Sequence, residues 1–416
     1  MALVQSARDA FWQSLGYVLD ETEGDRELRG ACKFPDFEAT MPHIPSRIRD
    51  ISMIDNFSSY LGRRNPLARP IDPETHTIWL QDNTAYRPKG SKDHRVWEAE
   101  FVCAYFVKNS GKDWGRVVAD IAEKAGLGEG DEAEATIAKR LEPWMDAVLP
   151  AHTVKINIGG MHISTLGPSD RNGVSKNLIR TTGHHDDGET VASHALRIDT
   201  HHMTTTFAEP KGWAIISDVD DTIKITQTPS PSGILRTTFV DEPTPVRGMP
   251  ELYRYMCKAL DNPPFWYLSA SPYNLYPFLR EFRSKYYPAG PLLLRNASWM
   301  NLAGFLIALT AGTQVYKTGR MREIHRMFPE RKFILIGDST QSDPEAYGEI
   351  YREFPAWIGA IFIRKVTGIA EIDKTSKNTP ERFEKAFDGI DKSVWAVFDN
   401  PGELYQKVDA LVNSGR

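Results

Sequence analysis

From Lys211 onward the chain carries five short apolar runs: WAIIS (213–217), FWYLS (265–269), PLLLR (291–295), KFILIG (332–337) and AIFIR (360–364). Each is apolar at consecutive positions rather than alternate ones, which marks strands covered on both faces. Amphipathic stretches at 250–260, 275–286, 318–328 and 345–354 separate them, and one at 402–412 closes the set. Strands that alternate with helices run parallel, because a crossover helix returns the chain to the same end of the sheet. The pattern predicts a doubly wound parallel α/β domain over 211–416. The stretch 226–247, with Pro229, Pro231, Pro243 and Pro245, is expected to be a loop or hairpin inserted after the first strand.

Residues 1–210 follow a different pattern. Segments 75–86, 96–107, 152–160 and 194–207 are rich in β-branched and aromatic residues with partial alternation, as half-buried antiparallel strands require. Helical patterns at 114–125 and 132–149 interrupt them, and an amphipathic helix is expected near 7–19. We read 1–210 as a β-rich, sandwich-like accessory domain with a helical insertion.

Net charge is −5, from 50 Lys+Arg against 55 Asp+Glu, which disfavours a generic nucleic-acid binder. Cys32, Cys103 and Cys257 are scattered, without metal or redox spacing, as in a reducing compartment. The N-terminal stretch lacks the apolar segment of a signal peptide, and the most apolar run, 299–310, falls short of the roughly 20 residues of a membrane span. A soluble, cytoplasmic protein is expected.

The string ending the first apolar run is Ile215-Ile216-Ser217-Asp218-Val219-Asp220-Asp221-Thr222. Ligands of open α/β sheets bind at the carboxyl ends of strands, which is where these acids fall. An EF-hand loop fails, since Ile223 stands where its glycine belongs and a strand, not a helix, precedes it. Later units add Ser269 at the next strand tip, Lys317 before the helix at 318–328, and Asp338 and Asp343 after the strand 332–337. An ionised Asp218 facing an anionic phosphate is repelled by about 4 kcal/mol at about 4 Å and an effective dielectric of ~20, so cations must offset it. Lys317 supplies one charge. A Mg²⁺ ion held by Asp218, the Asp220 backbone carbonyl and Asp338, with Asp343 in support, supplies two. Asp218 is then the expected nucleophile and Asp220 the general acid and base, with Thr222 orienting Asp220 and Ser269 orienting the phosphate. All of this requires four distant segments to converge, with Asp218 facing an opening.

This order of motifs resembles the haloacid dehalogenase superfamily of phosphatases. SDVDDTIK, WYLSASPYNLYPFLREF, YKTGRMREIHRMFP and ILIGDSTQSDPEAYGEI together resemble the actin-patch-associated phosphatidate phosphatase family, whose catalytic domain is similar to that of the lipins. The likeness covers about 211–365, with a weaker echo in IWLQDNTAY. It implies Mg²⁺-dependent conversion of phosphatidate to diacylglycerol, peripheral membrane association, and a link to endocytic or actin-patch proteins. The intact first motif separates the chain from lipin-like domains that bind lipid without turnover. A phosphatase of another phosphomonoester, or a lipid-binding adaptor with little turnover, stands as the alternative.

Between Ser269 and Lys317 there is room for a helix, a strand and a short apolar piece, but not for a large cap domain. The run 299–309 reads as a buried core helix before an interfacial one. Arg47, Arg49, Arg63, Arg64 and Arg69 read as a solvated face before a lipid-binding one. The six histidines between His162 and His202 lack HxxxH spacing or a cysteine partner, so they are not assigned to zinc. Gly126, Gly128 and Gly130 follow no strand and make no dinucleotide fingerprint.

Overall fold

The computed structural model describes residues 21–41, 68–91, 93–108, 115–126, 131–160, 162–198, 200–295 and 302–413. The helix expected near 7–19, together with Arg47, Arg49, Arg63, Arg64, Gly128 and Gly130, lies outside the described residues. The protein is mixed α/β, with one wholly parallel sheet and two largely antiparallel ones.

The parallel sheet comprises β1 (Trp213–Asp218), β2 (Phe265–Pro272), β3 (Leu292–Arg295), β4 (Lys332–Asp338), β5 (Ile358–Arg364) and β6 (Trp395–Phe398). Their spatial order is β3-β2-β1-β4-β5-β6. Every neighbouring pair is parallel. The five apolar runs became the first five strands. The sixth, four residues long, was missed because WAVF is too short to stand out as a run.

Side chains alternate into two cores. Ile215, Tyr267, Ile334 and Ile336 pack on one face, and Ala214, Ile216, Trp266, Leu268, Phe333 and Leu335 on the other. The order in which strands are added reverses between β1 and β4, the point at which the carboxyl ends of a parallel sheet leave a crevice.

The helices needed for the site are α1 (Pro231–Phe239), α2 (Met249–Ala259), α3 (Tyr276–Tyr286), α4 (Leu302–Thr310), α5 (Thr313–Met327) and α6 (Asp343–Glu353). Helix α1 corrects the expectation of a bare loop or hairpin at 226–247. Ser230 caps it onto Gly233 N at 3.3 Å, Pro231 opens it, and Ile234, Leu235 and Phe239 are buried at helical spacing. Helix α4 is buried through Phe305, Leu306 and Leu309, as a core helix should be. Helix α5 begins five residues before the expected start, so Lys317 sits on the helix and not ahead of it.

Upstream, two sheets face each other. One contains His76–Leu80, Val96–Val107, Ala147–Val148 and Val174–Thr182, and the other Arg69–Pro70, His152–Ile158, Thr190–Ala195, Met203–Phe207 and Asn83–Ala85, with His162–Leu166 at its side. Ile78, Trp97, Phe101 and Tyr105 of the first meet Val154, Ile156, Met203 and Phe207 of the second in one apolar core. The helices Gly115–Lys124 and Asp131–Met145 instead join the core beneath α1, through Ile121, Ile137 and Leu141.

Two polar joints tie the upstream chain to the parallel-sheet part. The Asp82 carboxylate is buried and accepts from Arg283 at 2.5 Å and Arg280 at 3.1 Å. On the helix Glu23–Ala31, Asp25 accepts from Gly312 N and Ser342 Oγ, each at 3.0 Å, and Arg29 donates to Thr310 Oγ1 at 2.5 Å. No helix among the described residues is long and apolar enough to cross a membrane.

Candidate active site

The crevice at β1 and β4 gathers Asp218, Thr222, Lys317, Asp338 and Asp343, with Asp220 and Ser269 beside them. Asp218 ends β1, and its Oδ2 accepts from Thr222 Oγ1 at 2.9 Å. Its Oδ1 lies 2.7 Å from Lys317 Nζ, which α5 points inward. Lys317 also pairs with Asp343 Oδ1 and donates to Gln341 Oε1 at 3.1 Å. Asp338 ends β4 and is held through Thr340 N at 2.6 Å and the Thr340 hydroxyl. Asp343 opens α6, and its Oδ2 accepts from Asp338 N at 3.0 Å. That approach requires Gly337, since a Cβ there would fall 2.7 Å from Asp343 Cβ.

Asp220 stands apart from this group. Ser269 Oγ donates to its Oδ2 at 2.5 Å and Thr226 Oγ1 to its Oδ1 at 2.9 Å. The expected hydroxyl roles are therefore corrected: Ser269, not Thr222, touches Asp220, while Thr222 bridges Asp218 and, at 3.3 Å, Asp338. The side chains converge as expected, but the expectation of an opening fails. Asp218, Lys317, Asp338 and Asp343 are all 0% exposed. The loop before α1 lies directly against the acids, since Thr228 Oγ1 sits 2.7 Å from both Asp221 Oδ2 and Thr340 Oγ1, with its one proton available to either.

Burial governs the electrostatics. It pushes the Asp218 carboxyl well above its ordinary range; Lys317 opposes this, and Asp343, Asp338 and Asp220 add to it. Asp338 is pushed up to about 7, by burial first and then by Asp343 and Asp221. Burial pulls on Lys317 in the opposite sense, yet Asp218, Asp343 and Asp338 outweigh it and hold the ammonium charged. One lysine is too little positive charge for three buried acids.

Asp218, Asp338 and Asp343 each bring a carboxylate oxygen within 4.8 Å of the others, with the Lys317 ammonium 2.7 Å from Asp218 Oδ1. All-oxygen and anionic, this set fits a hard divalent cation. The Asp220 carboxylate, occupied by two hydroxyls, is not part of that set. His185, from the histidine-rich stretch, instead pairs with Glu189 at 2.9 Å and stacks on Phe207.

Sequence reasoning passed over three organising residues. Asp221 takes a left-handed backbone (φ 58°) and accepts from Thr226 N, Gln227 N and Thr228 N at 2.7–2.9 Å, shaping the loop after β1. Lys224 is buried and donates to Thr226 Oγ1 at 3.1 Å, behind the hydroxyl that holds Asp220. Arg382 donates to the carbonyls of Ser339 at 2.5 Å and Gln341 at 2.6 Å, bracing the loop between Asp338 and Asp343. Only Asp221 carried a signal, as the third acid of its motif. The other two depend on tertiary contacts.

A parallel sheet whose point of reversal presents buried carboxylates beside a lysine has its polar cluster where open α/β sheets bind ligands, at the carboxyl ends of the strands. Residues 213–365 match the profile described as "Phosphatidate phosphatase APP1, catalytic domain". The segment is 32% identical over 161 residues to phosphatidate phosphatase APP1 of Saccharomyces cerevisiae, covering 38% of this chain and 27% of that protein. It is 28% identical over 176 residues to an uncharacterized protein of Schizosaccharomyces pombe, covering 40% of this chain and 28% of that one. The likeness thus spans little more than a quarter of each relative.

Proposed function

We propose that the chain is a Mg²⁺-dependent phosphatidate phosphatase, hydrolysing phosphatidate to diacylglycerol and phosphate through an aspartyl-phosphate on Asp218, on a haloacid-dehalogenase-like fold. One observation carries this reading: Asp218, Asp338 and Asp343 sit within 4.8 Å of one another beside Lys317, in the segment that matches the family. In this proposal Asp218 attacks phosphorus, with Thr222 fixing its second oxygen. Lys317 offsets the charge of the phosphoryl oxygens. Asp220, held by Ser269 and Thr226, protonates the leaving glycerol oxygen and later takes a proton from the attacking water. A Mg²⁺ held by Asp218, the Asp220 carbonyl and Asp338, with Asp343 in support, supplies two further positive charges beside the phosphoryl group when bound.

The same proposal divides the chain into an accessory part, 1–210, and a catalytic part, 211–416. It places the protein in the cytoplasm, in peripheral contact with phosphatidate-bearing membrane, with endocytic or actin-patch proteins as partners. Because Asp218 is fully buried, a headgroup reaches it only when the covering residues, the loop before α1 among them, move aside.

The test is phosphate release from phosphatidate in detergent micelles by the purified chain. Activity is expected with Mg²⁺, none after EDTA, and none from a folded Asp218→Asn variant; activity retained in that variant refutes the mechanism. A panel of lysophosphatidate, phosphopeptides and sugar phosphates separates the lipid from other monoesters. The burial of Asp218 also favours a second reading, a lipid-binding adaptor with little turnover. Co-sedimentation with phosphatidate liposomes, without measurable phosphate release, would establish that one instead.

A further inference from the structure

A cleft of about 710 Å³ lies outside the carboxylate cluster, between the start of the helix Glu23–Ala31, α6 and the segment 376–386. Lys377 lines it while only 6% exposed, and its ammonium makes no hydrogen bond or ion pair among the described residues. The ammonium lies against the first turn of the helix Glu23–Ala31, since a Cβ built on Gly24 would sit 3.7 Å from Nζ. Thr22 and Asp25 satisfy each other's backbone amides in a capping box, which leaves the amide groups of Glu23 and Gly24 at the positive end of the helix dipole.

Two positive ends therefore meet with no anion bonded to the Lys377 ammonium among the described residues, although Asp25 and Glu27 act on it from nearby. The cleft's acids do not bond to Lys377: Glu345 is paired with Arg382 and Glu349 with Arg322, Glu27 is exposed and engaged by Ser376 Oγ at 3.3 Å, and Glu23 and Glu381 line the cleft as exposed side chains. The five N–H donors of Arg382 are all used, on Glu345 and on the carbonyls of Ser339, Gln341 and Lys377, so its charge adds to the local field without offering a bond.

We propose that this cleft is a second anion site, separate from the carboxylate crevice, taking one phosphate or phosphomonoester group between the Lys377 ammonium and the amide end of the helix Glu23–Ala31. A tetrahedral oxyanion suits both partners, because it accepts from backbone amides at a helix start and from an ammonium on different oxygens. Burial first, and Arg382 second, hold the Lys377 amine down at about 8 against Glu345, Asp25 and Glu27, the condition of an ammonium lacking its counter-ion. Asp25, from the same helix, also holds Ser342 and Gly312, next to Asp343 and at the start of the helix bearing Lys317, so an occupant here braces the catalytic loops from behind.

The experiment reads Lys377 itself. The full chain is trace-acetylated near pH 8 with EDTA present, so that no turnover intervenes, and labelling of each lysine is followed by mass spectrometry. Inorganic phosphate at about ten times its dissociation constant should slow Lys377 labelling about tenfold while leaving Lys392 unaffected. Protection by phosphate alone identifies a soluble occupant. Protection by phosphatidylcholine vesicles containing phosphatidate, but not by phosphatidylcholine alone, identifies a lipid headgroup. Protection by neither, or no labelling of Lys377 at all, overturns the proposal. As a second measurement, Lys377→Met in an Asp218→Asn background should weaken calorimetric phosphate binding about tenfold or more, and unchanged binding overturns the proposal equally. Neither readout uses catalysis, so failure here and failure of the phosphatase reading are distinguishable.

Discussion

Replacing Lys317 by methionine removes the one positive charge that, among the described residues, lies directly against Asp218. Its Nζ is 2.7 Å from Asp218 Oδ1, with neither side chain exposed. Carboxylates spaced at the cluster's 4.8 Å repel by about 3 kcal/mol per ionised pair at an effective dielectric of ~20. Truncating one partner of a buried pair costs about 3–5 kcal/mol of stability, and that is the loss expected at neutral pH.

The pH dependence has a defined sign. Asp338 already stands at about 7 against an ordinary 3.8, and losing a neighbour that lowers it can only raise it further. Between pH ~4 and ~7 the folded variant therefore holds protons that the unfolded chain has released, so its stability rises as pH falls through that window. For catalysis, a unit charge about 4 Å from a phosphoryl charge is worth about 4 kcal/mol at the same dielectric, or roughly a thousandfold in kcat/KM. The assay pairs denaturation curves at pH 5 and 7 with phosphate release from phosphatidate micelles at saturating Mg²⁺. A folded Lys317→Met protein within tenfold of the parent activity, or one equally stable at both pH values, refutes this account of the cluster.

Further outcomes follow from single contacts. Ser269→Ala removes the 2.5 Å hydrogen bond to Asp220 and the acceptor of Ser271 N, and should lower kcat about ten- to a hundredfold at a cost of about 1–3 kcal/mol of stability; an unchanged kcat would take Ser269 out of the positioning scheme. Gly337→Ala drives a methyl group to 2.7 Å from Asp343 Cβ and should cost about 1–3 kcal/mol on a chemical melt, and a neutral result would show that α6 yields freely. Lys377, at about 8 when folded against 10.5 ordinarily, loses its proton earlier in the folded protein than in the unfolded chain. Stability should thus climb between pH ~8 and ~10.5, by up to about 3 kcal/mol, in phosphate-free buffer. Lys377→Met should flatten that slope, and a slope that survives the substitution assigns it to another group.

Much of the parallel sheet was legible because a strand buried on both faces must be apolar throughout, and such runs are rare elsewhere. WAVF escaped because four residues carry too little pattern. Helix α1 escaped because prolines at 229, 231, 243 and 245 read as loop, although Pro231 merely opens a helix. The site residues were found by their place at strand tips. Their partners were not, since Thr222 and Ser269 are both hydroxyls near an acid and only coordinates show which acid each one meets.

Local chemistry along the chain was enough to assign parallel strands, acids at their carboxyl ends and a lysine supplied from another unit, because apolar periodicity and side-chain type are properties of the chain itself. Folding alone decided that Asp220 stands apart from the other carboxylates, that Asp218 is sealed from solvent, and that Lys377 and the start of the helix Glu23–Ala31 meet across some 350 residues of chain. Field strength and access depend on distance and burial in space, and sequence separation carries neither.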